Sequence, residues 1–204
     1  MSTPDLTLYG LRLSGHSHRA ELFLSLLRLP YRFVEALPAT PDLLAVNPLG
    51  QIPVLIDGGS VIPDSNAILV YLAARYAPDG GWMPADPPGA AAVQRWLSIA
   101  AGDVRFGPAL ARLMVVFGAQ ADRGRVEART ARILGFMDRH LADRSFLAAA
   151  HPTLADIACY SYVAHAPEGG IGLAPYPAIR AWIARIEALP DFLAMPSSPI
   201  PEGA

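Results

Sequence analysis

The chain contains no lysine: all sixteen of its basic residues are arginines. That absence excludes a lysine Schiff base and a phosphate loop built on lysine. Cysteine is almost as scarce. The single one, Cys159, permits neither an intrachain disulfide nor a CxxC redox pair, and a reducing, cytoplasmic setting is the expectation. Charged residues make up only 17% and sum to a formal −2, so no electrostatic argument predicts a nucleic acid or an anionic membrane as partner. Long hydrophobic runs are missing too. No stretch of about 18 apolar residues escapes interruption by charge, so no membrane span is predicted. No basic-then-apolar N-terminal segment reads as a signal peptide, and no metal site is predicted. What remains is a globular composition. With 204 residues, 52% of them hydrophobic, the chain can bury a sizeable core in one large or two small domains.

The pattern of elements changes along the chain. Leu6–Tyr9 alternates and is rich in strand formers. After the loop "LSGHSHR", Ala20, Leu22, Phe23, Leu26 and Leu27 recur at helical spacing until Pro30. "YRFVEA" reads as a second strand, and Pro41–Val46 as a short helix. Pro53–Asp57 and Ser60–Ile62 flank Gly58-Gly59, a two-residue hairpin signal. Asn66–Arg75 is helical, with Tyr9 read as strand core. Residues 77–90 are crowded with proline and glycine and mark a linker. Beyond it the pattern predicts helices only: Ala91–Leu113, bent near Gly107-Pro108, then Gly124–Leu141, then one opened by the capping box Thr153–Asp156, then one near Pro177. The predicted organisation is an α/β domain over residues 1–77, a linker over 78–88 and an all-α domain over 89–204.

"GQIPVLIDGGSVIPDSNAIL", residues 50–69, carries two features that a core does not require. Pro53 opens a strand-like run although it has no N–H for a ladder. Asp64 and Ser65 stand at the mouth of a helix, where free backbone N–H groups and the helix dipole favour an anion. Read without a ligand, Pro53 starts an edge strand and Ser65 is a plain N-cap. Read together, they predict a peptide-like ligand with a carboxylate.

The whole chain resembles the glutathione transferase superfamily, in particular its bacterial, serine-type members. "LYGLRLSGHSHRAELFLSLLRLPYRFVEA" resembles the first strand, active-site loop, first helix and second strand. "NPLGQIPVLIDGGSVIPDSNAILVYLAARY" is similar to the glutathione-binding half, "PTLADIACYSY" to the capping box of the helical domain, and "APEGGIGLAPYPAIRAWIARIEALPDF" to its ending. The resemblance implies a thioredoxin-like N-terminal domain followed by an all-helical one, with glutathione as co-substrate and a small hydrophobic electrophile as its partner. It also implies a detoxifying homodimer and a cis Ile52–Pro53 bond. Ile52 then pairs with the peptide backbone of glutathione as an added strand, Asp64 takes its α-amino group and Ser65 its carboxylate. Where many relatives have lysine, this chain has neutral Gln51, which donates a hydrogen bond without the charge.

Glutathione reacts as its thiolate, and an ordinary thiol with a pKa of about 8.5 is little ionised at neutral pH. A hydroxyl aimed at sulfur near a helix N-terminus lowers that value. The loop offers Ser14, His16, Ser17 and His18. By resemblance Ser14 is the donor. Ser17 is the alternative, and either serine reads otherwise as a plain helix cap. His16 and His18 read as solvent-facing loop residues, with His16 otherwise reaching the glycyl carboxylate. Asp103 is a possible contact to the neighbouring subunit's glutathione. Leu11, Leu13, Phe106, Leu110, Met114 and Tyr160 are candidates to line an electrophile pocket between the domains, and Trp96 and Trp182 are packing residues. Two rival readings keep the fold: a non-catalytic binding protein, and a glutathione-dependent reductase, peroxidase or isomerase.

Overall fold

The computed structural model describes residues 5–202. They divide into two compact units: residues up to Met83 together with Leu189–Pro196, and Pro84–Ala188 together with the residues from Ser197 onward.

The first unit is built on a four-stranded sheet in the order β2-β1-β3-β4. Strand β1 (Leu6–Gly10) lies parallel to β2 (Tyr31–Glu35) and antiparallel to β3 (Val54–Asp57), which pairs with β4 (Ser60–Pro63). A parallel pair needs a crossover, and helix α1 (Gly15–Leu26) supplies it; α2 (Pro41–Val46) and α3 (Ser65–Tyr76) follow β2 and β4. The hairpin turns at Gly58-Gly59, because Asp57 faces Ser60. Leu8, Val54 and Leu55 on the sheet and Leu22, Phe23, Ile68, Leu69 and Leu72 on the helices have no exposed surface. Their burial is the main driving force for this unit.

Helix α1 departs from the amphipathic pattern. Residues 17–24 are all buried, Ser17, His18, Arg19 and Glu21 among them. Buried polar groups need partners. His18 is therefore not the solvent-facing residue its sequence position suggests: its Nε2–H donates to the Leu193 carbonyl at 2.7 Å. Ser25 Oγ donates to the Asp191 carbonyl, and Arg28 pairs with the Asp191 carboxylate. These bonds explain why Leu189–Pro196 belongs with the first unit and not with the helical one.

In the second unit α4 (Pro87–Ile99) runs into a π-helical turn, Ala100–Val104, and α5 (Pro108–Val116) begins only after Gly107. The single long helix Ala91–Leu113 is thus two helices. Pro108 has no N–H to continue the ladder, and a Cβ on Gly107 would stand 2.8 Å from the Asp103 carbonyl oxygen. Helices α6 (Arg123–Leu141), α7 (Leu154–Ala164) and α8 (Pro177–Glu187) complete the unit, with a 3-10 turn at Ala166–Gly169. Every residue of α7 from Leu154 to Val163 is buried, the mark of a central helix. Its capping box forms as predicted. Asp156 also accepts from Leu147 N–H and the Trp182 indole. Burial pushes the Asp156 carboxyl up, against the pull of these donors.

Candidate functional site

The site residues of the first unit gather at two helix N-termini and the loop before β3. Gly10 ends β1, and the chain turns through Leu11–Leu13, with Ser14 N–H donating to the Leu11 carbonyl at 2.8 Å. Ser14 is the N-cap of α1. Its Oγ accepts a long bond, 3.4 Å, from the Ser17 N–H. A hydroxyl that accepts still has its own proton to donate, and Ser14 is half-buried.

Ser17 has a different place. It is fully buried, and its Oγ accepts the Leu11 N–H at 3.1 Å, closing the loop. It is therefore not the cap of α1. Gly10 must be glycine for this packing, since a Cβ there would lie 2.7 Å from Ser17 Oγ. On the far side of the loop Arg12 stacks over Phe33 at 4.2 Å and donates to Glu21 Oε1, which also accepts from the Tyr31 hydroxyl. Burial raises the Glu21 carboxyl above its ordinary value, opposed by Tyr31 and Arg12.

The loop before β3 contains the cis Ile52–Pro53 bond. The ladder with β1 ends at the Tyr9–Val54 pair, so Ile52 lies beyond the last rung. Asn47, buried, holds this loop: its Nδ2 donates to the Gln51 carbonyl at 2.8 Å and its Oδ1 accepts from Leu49 N–H at 3.2 Å. Gly50 adopts φ +62°, with Ala39 backbone 3.0 Å from where its Cβ would be. Gln51 itself is exposed.

At α3 the capping residue is Asp64, not Ser65. Asp64 Oδ1 accepts from both Asn66 N–H and Ala67 N–H at 2.9 Å, and its φ of 74° is the left-handed region, strained for a residue with a Cβ. Strain of this kind clusters at functional sites. Both bonds fall on one oxygen, so the carboxylate retains acceptor capacity on the other. Ser65 is the first residue of the helix and is buried; its Oγ accepts from Arg19 Nη1 at 2.8 Å and lies 3.3 Å from His16 Nδ1. His16 is half-buried and tied to Ser65, not free in solvent.

The structure thus places Ser14 and His16 at the start of α1 and joins His16 to Ser65 at the start of α3. Ser17 is present there but sealed. Arg19 and Asn47 were not singled out by the sequence reading. The signals were there: a charged residue between the apolar positions of α1, and an Asn-Pro-x-Gly turn ahead of Pro53.

In the second unit Asp103 lies on the π-helical turn and pairs with Arg132 of α6. Both line a cavity of about 450 Å³ with Arg95, Ile99, Ile133, Phe136 and Arg139. Phe106 is exposed, and Leu110 and Met114 are half-buried. Tyr160 is 2% exposed and its hydroxyl donates to Glu187 at 2.8 Å, so it is a core residue and not an open pocket wall. Among the described residues no helix is long and apolar enough to cross a membrane.

The profile described as "Glutathione S-transferase, N-terminal domain" matches residues 8–80, and "Glutathione S-transferase, C-terminal domain" matches residues 103–190. The chain is 32% identical to glutathione S-transferase 3 of Zea mays over 98% of both chains. It superposes with a TM-score of 0.86, at 32% identity, on a possible glutathione S-transferase from Rhodopseudomonas palustris, over 95% of this chain and 99% of that one. A glutathione transferase homologue from Drosophila mojavensis, solved with bound glutathione, matches with a TM-score of 0.82 and 27% identity over 92% and 89% of the two chains.

Proposed function

The chain belongs to the glutathione S-transferase family, and from that membership we propose that it conjugates the thiolate of glutathione to a small hydrophobic electrophile. The observation that carries this reading is the state of Ser14. It caps α1 with a long bond and keeps a proton to donate, in a loop whose other serine, Ser17, is buried and occupied. In this reading Ser14 Oγ–H donates to the sulfur, and the positive end of α1 adds to the stabilisation of the anion. The thiol proton leaves to solvent. Sulfur then forms a bond to the electrophilic carbon as the leaving group departs with its electron pair; an addition acceptor instead gains a proton from water.

Binding follows from the same elements. The backbone of Ile52 pairs with the extended tripeptide. The strained Asp64 offers its carboxylate to the α-amino group, and the first turn of α3 with Ser65 receives the γ-glutamyl carboxylate. Gln51 donates to the glycyl carboxylate. The candidate lining residues divide between the units, with Leu11 and Leu13 in the first and Phe106, Leu110 and Met114 in the second. The reading extends to a detoxifying homodimer in the cytoplasm, with Asp103 as a contact toward the partner's glutathione.

The test is conjugation of glutathione to a panel of activated halides, epoxides and unsaturated carbonyls, with disulfides and peroxides assayed alongside, run on the wild-type chain and Ser14→Ala. Turnover that depends on Ser14 supports the reading. Binding of glutathione without turnover on any electrophile assigns the chain to the non-catalytic members. Turnover confined to disulfides or peroxides assigns it to the reductive ones.

A further inference from the structure

Arg19 lies one turn inside α1 at 1% exposure. Its Nη1 donates to Ser65 Oγ and to Asn66 Oδ1, both at 2.8 Å. Ser65 and Asn66 are the first two residues of α3. A single buried guanidinium therefore joins the start of α3 to the helix that Ser14 caps. Both acceptors are neutral, while a guanidinium keeps its charge in any protein environment. Burial of that charge is costly, and the two bonds to α3 offset part of that cost.

The hydrogen bonds have a direction that matters. Ser65 Oγ accepts from Arg19, which leaves the Ser65 proton for another acceptor. One neighbour is His16 Nδ1, 3.3 Å away in the first turn of α1. A carboxylate arriving at the α3 N-terminus competes for the same proton, and a charged donor behind the hydroxyl strengthens what it offers in front.

We propose that Arg19 is a positioning residue for glutathione: through Ser65 it aims a hydroxyl proton at the γ-glutamyl carboxylate, and it holds the first turn of α1, with Ser14, in register with the first turn of α3. This rests on the glutathione reading above. It assigns to one residue an influence on both the γ-glutamyl group and the sulfur of the ligand, where Asp64 and Ser14 each act on one.

The test measures two quantities on folded protein: glutathione affinity by calorimetry, and the pKa of the bound thiol from thiolate absorption against pH. Arg19→Gln is expected to raise Kd about tenfold, the loss of a charge-assisted hydrogen bond, and to raise the bound thiol's pKa by about one unit as Ser14 loses its register. Arg19→Lys, which keeps the charge and a donor, is expected to lose less on both. In a Ser65→Ala background Arg19→Gln should cost little further affinity, since the effect runs through that hydroxyl. A folded Arg19→Gln chain with unchanged Kd and thiol pKa, or losses that add fully in the double variant, overturns the proposal. If Arg19→Gln does not fold, Ser65→Ala and Asn66→Ala carry the test. Each should raise the bound thiol's pKa although neither lies in the Ser14 loop, and an unchanged value in both overturns it. A wild-type chain that binds no glutathione removes the functional reading as well. That result is distinct from a wild-type chain and an Arg19→Gln chain that bind equally.

Discussion

Two serines three residues apart differ in what their hydroxyls are free to do. Ser14 accepts one long bond at the surface of the loop, and Ser17 is spent inside it. Ser14→Ala is therefore expected to lower the conjugation rate at neutral pH about 10- to 100-fold, one or two pKa units at about 1.36 kcal/mol each. Activity should recover at high pH, where hydroxide ionises the thiol unaided; a pH–rate profile reads this. Ser17→Ala is expected to destabilise the fold by about 1 kcal/mol through the unpaired Leu11 N–H, seen in denaturant unfolding, with the bound thiol's pKa unchanged. Asp64→Asn isolates charge from capping. Asparagine caps helices as well as aspartate does and has nearly the same shape. The variant should keep its stability, raise KM for glutathione and leave kcat nearly unchanged; steady-state kinetics at varied glutathione decide. Asp64 and Ser65 stood out in the sequence as a polar pair before an apolar helix, but the cap is Asp64 and not Ser65. The first turn of α3 starts one residue earlier than the periodicity implied, and the strained φ of Asp64 leaves no trace in one sequence. His18 and Arg19 were unreadable for a related reason. Helical polar residues are assigned to solvent by default, whereas α1 is covered by the sheet, α3 and the returning segment near Leu193.

The elements themselves were largely readable, because strand alternation, helical spacing and proline positions are local signals. Pro41–Val46 and the hairpin at Gly58-Gly59 fall where composition put them. The break after the π-helical turn was read only as a bend. Its cause is the close approach of Gly107 to the Asp103 carbonyl, a contact with no sequence signal beyond Gly-Pro. A second device in this unit was not read at all. Arg112 on α5, with no exposed surface, pairs with Glu168 on the 3-10 turn at 2.6 Å, and Glu168 also accepts from His165. Burial pushes the Glu168 carboxyl up, but the bonds from His165, Arg112 and the Ser198 N–H together hold it below its ordinary value. A carboxyl with a depressed folded-state pKa stabilises the fold above its unfolded pKa, and that contribution is lost as pH falls through the folded value. Glu168→Gln is expected to cost about 3–5 kcal/mol at neutral pH, since it removes the opposite charge paired with a buried guanidinium. It should also flatten the acid limb of stability against pH. Unfolding midpoints from neutral pH down to below the ordinary glutamate pKa measure both.

At the scale of the molecule, the order of an α/β unit before a helical one was visible in composition, while the return of Leu189–Pro196 to the first unit was not. That return is made by three side chains of α1 and its C-terminal turn, His18, Ser25 and Arg28, binding backbone and one carboxylate far along the chain. Long-range bonds of this kind have no periodicity to betray them. Assembly is a further property of the whole: sedimentation equilibrium at micromolar protein is expected to give twice the chain mass, and a mass equal to one chain would contradict the homodimer. The expectations for catalysis depend on one property, a glutathione thiol ionised in the site by Ser14. Titration of the thiolate absorption of bound glutathione against pH reads it without need of any electrophile. The wild-type complex should show a midpoint one to two units below that of a free thiol at about 8.5, and the Ser14→Ala complex a midpoint close to the free value. Equal midpoints in the two complexes, or bound glutathione that titrates like free thiol in the wild type, would contradict it.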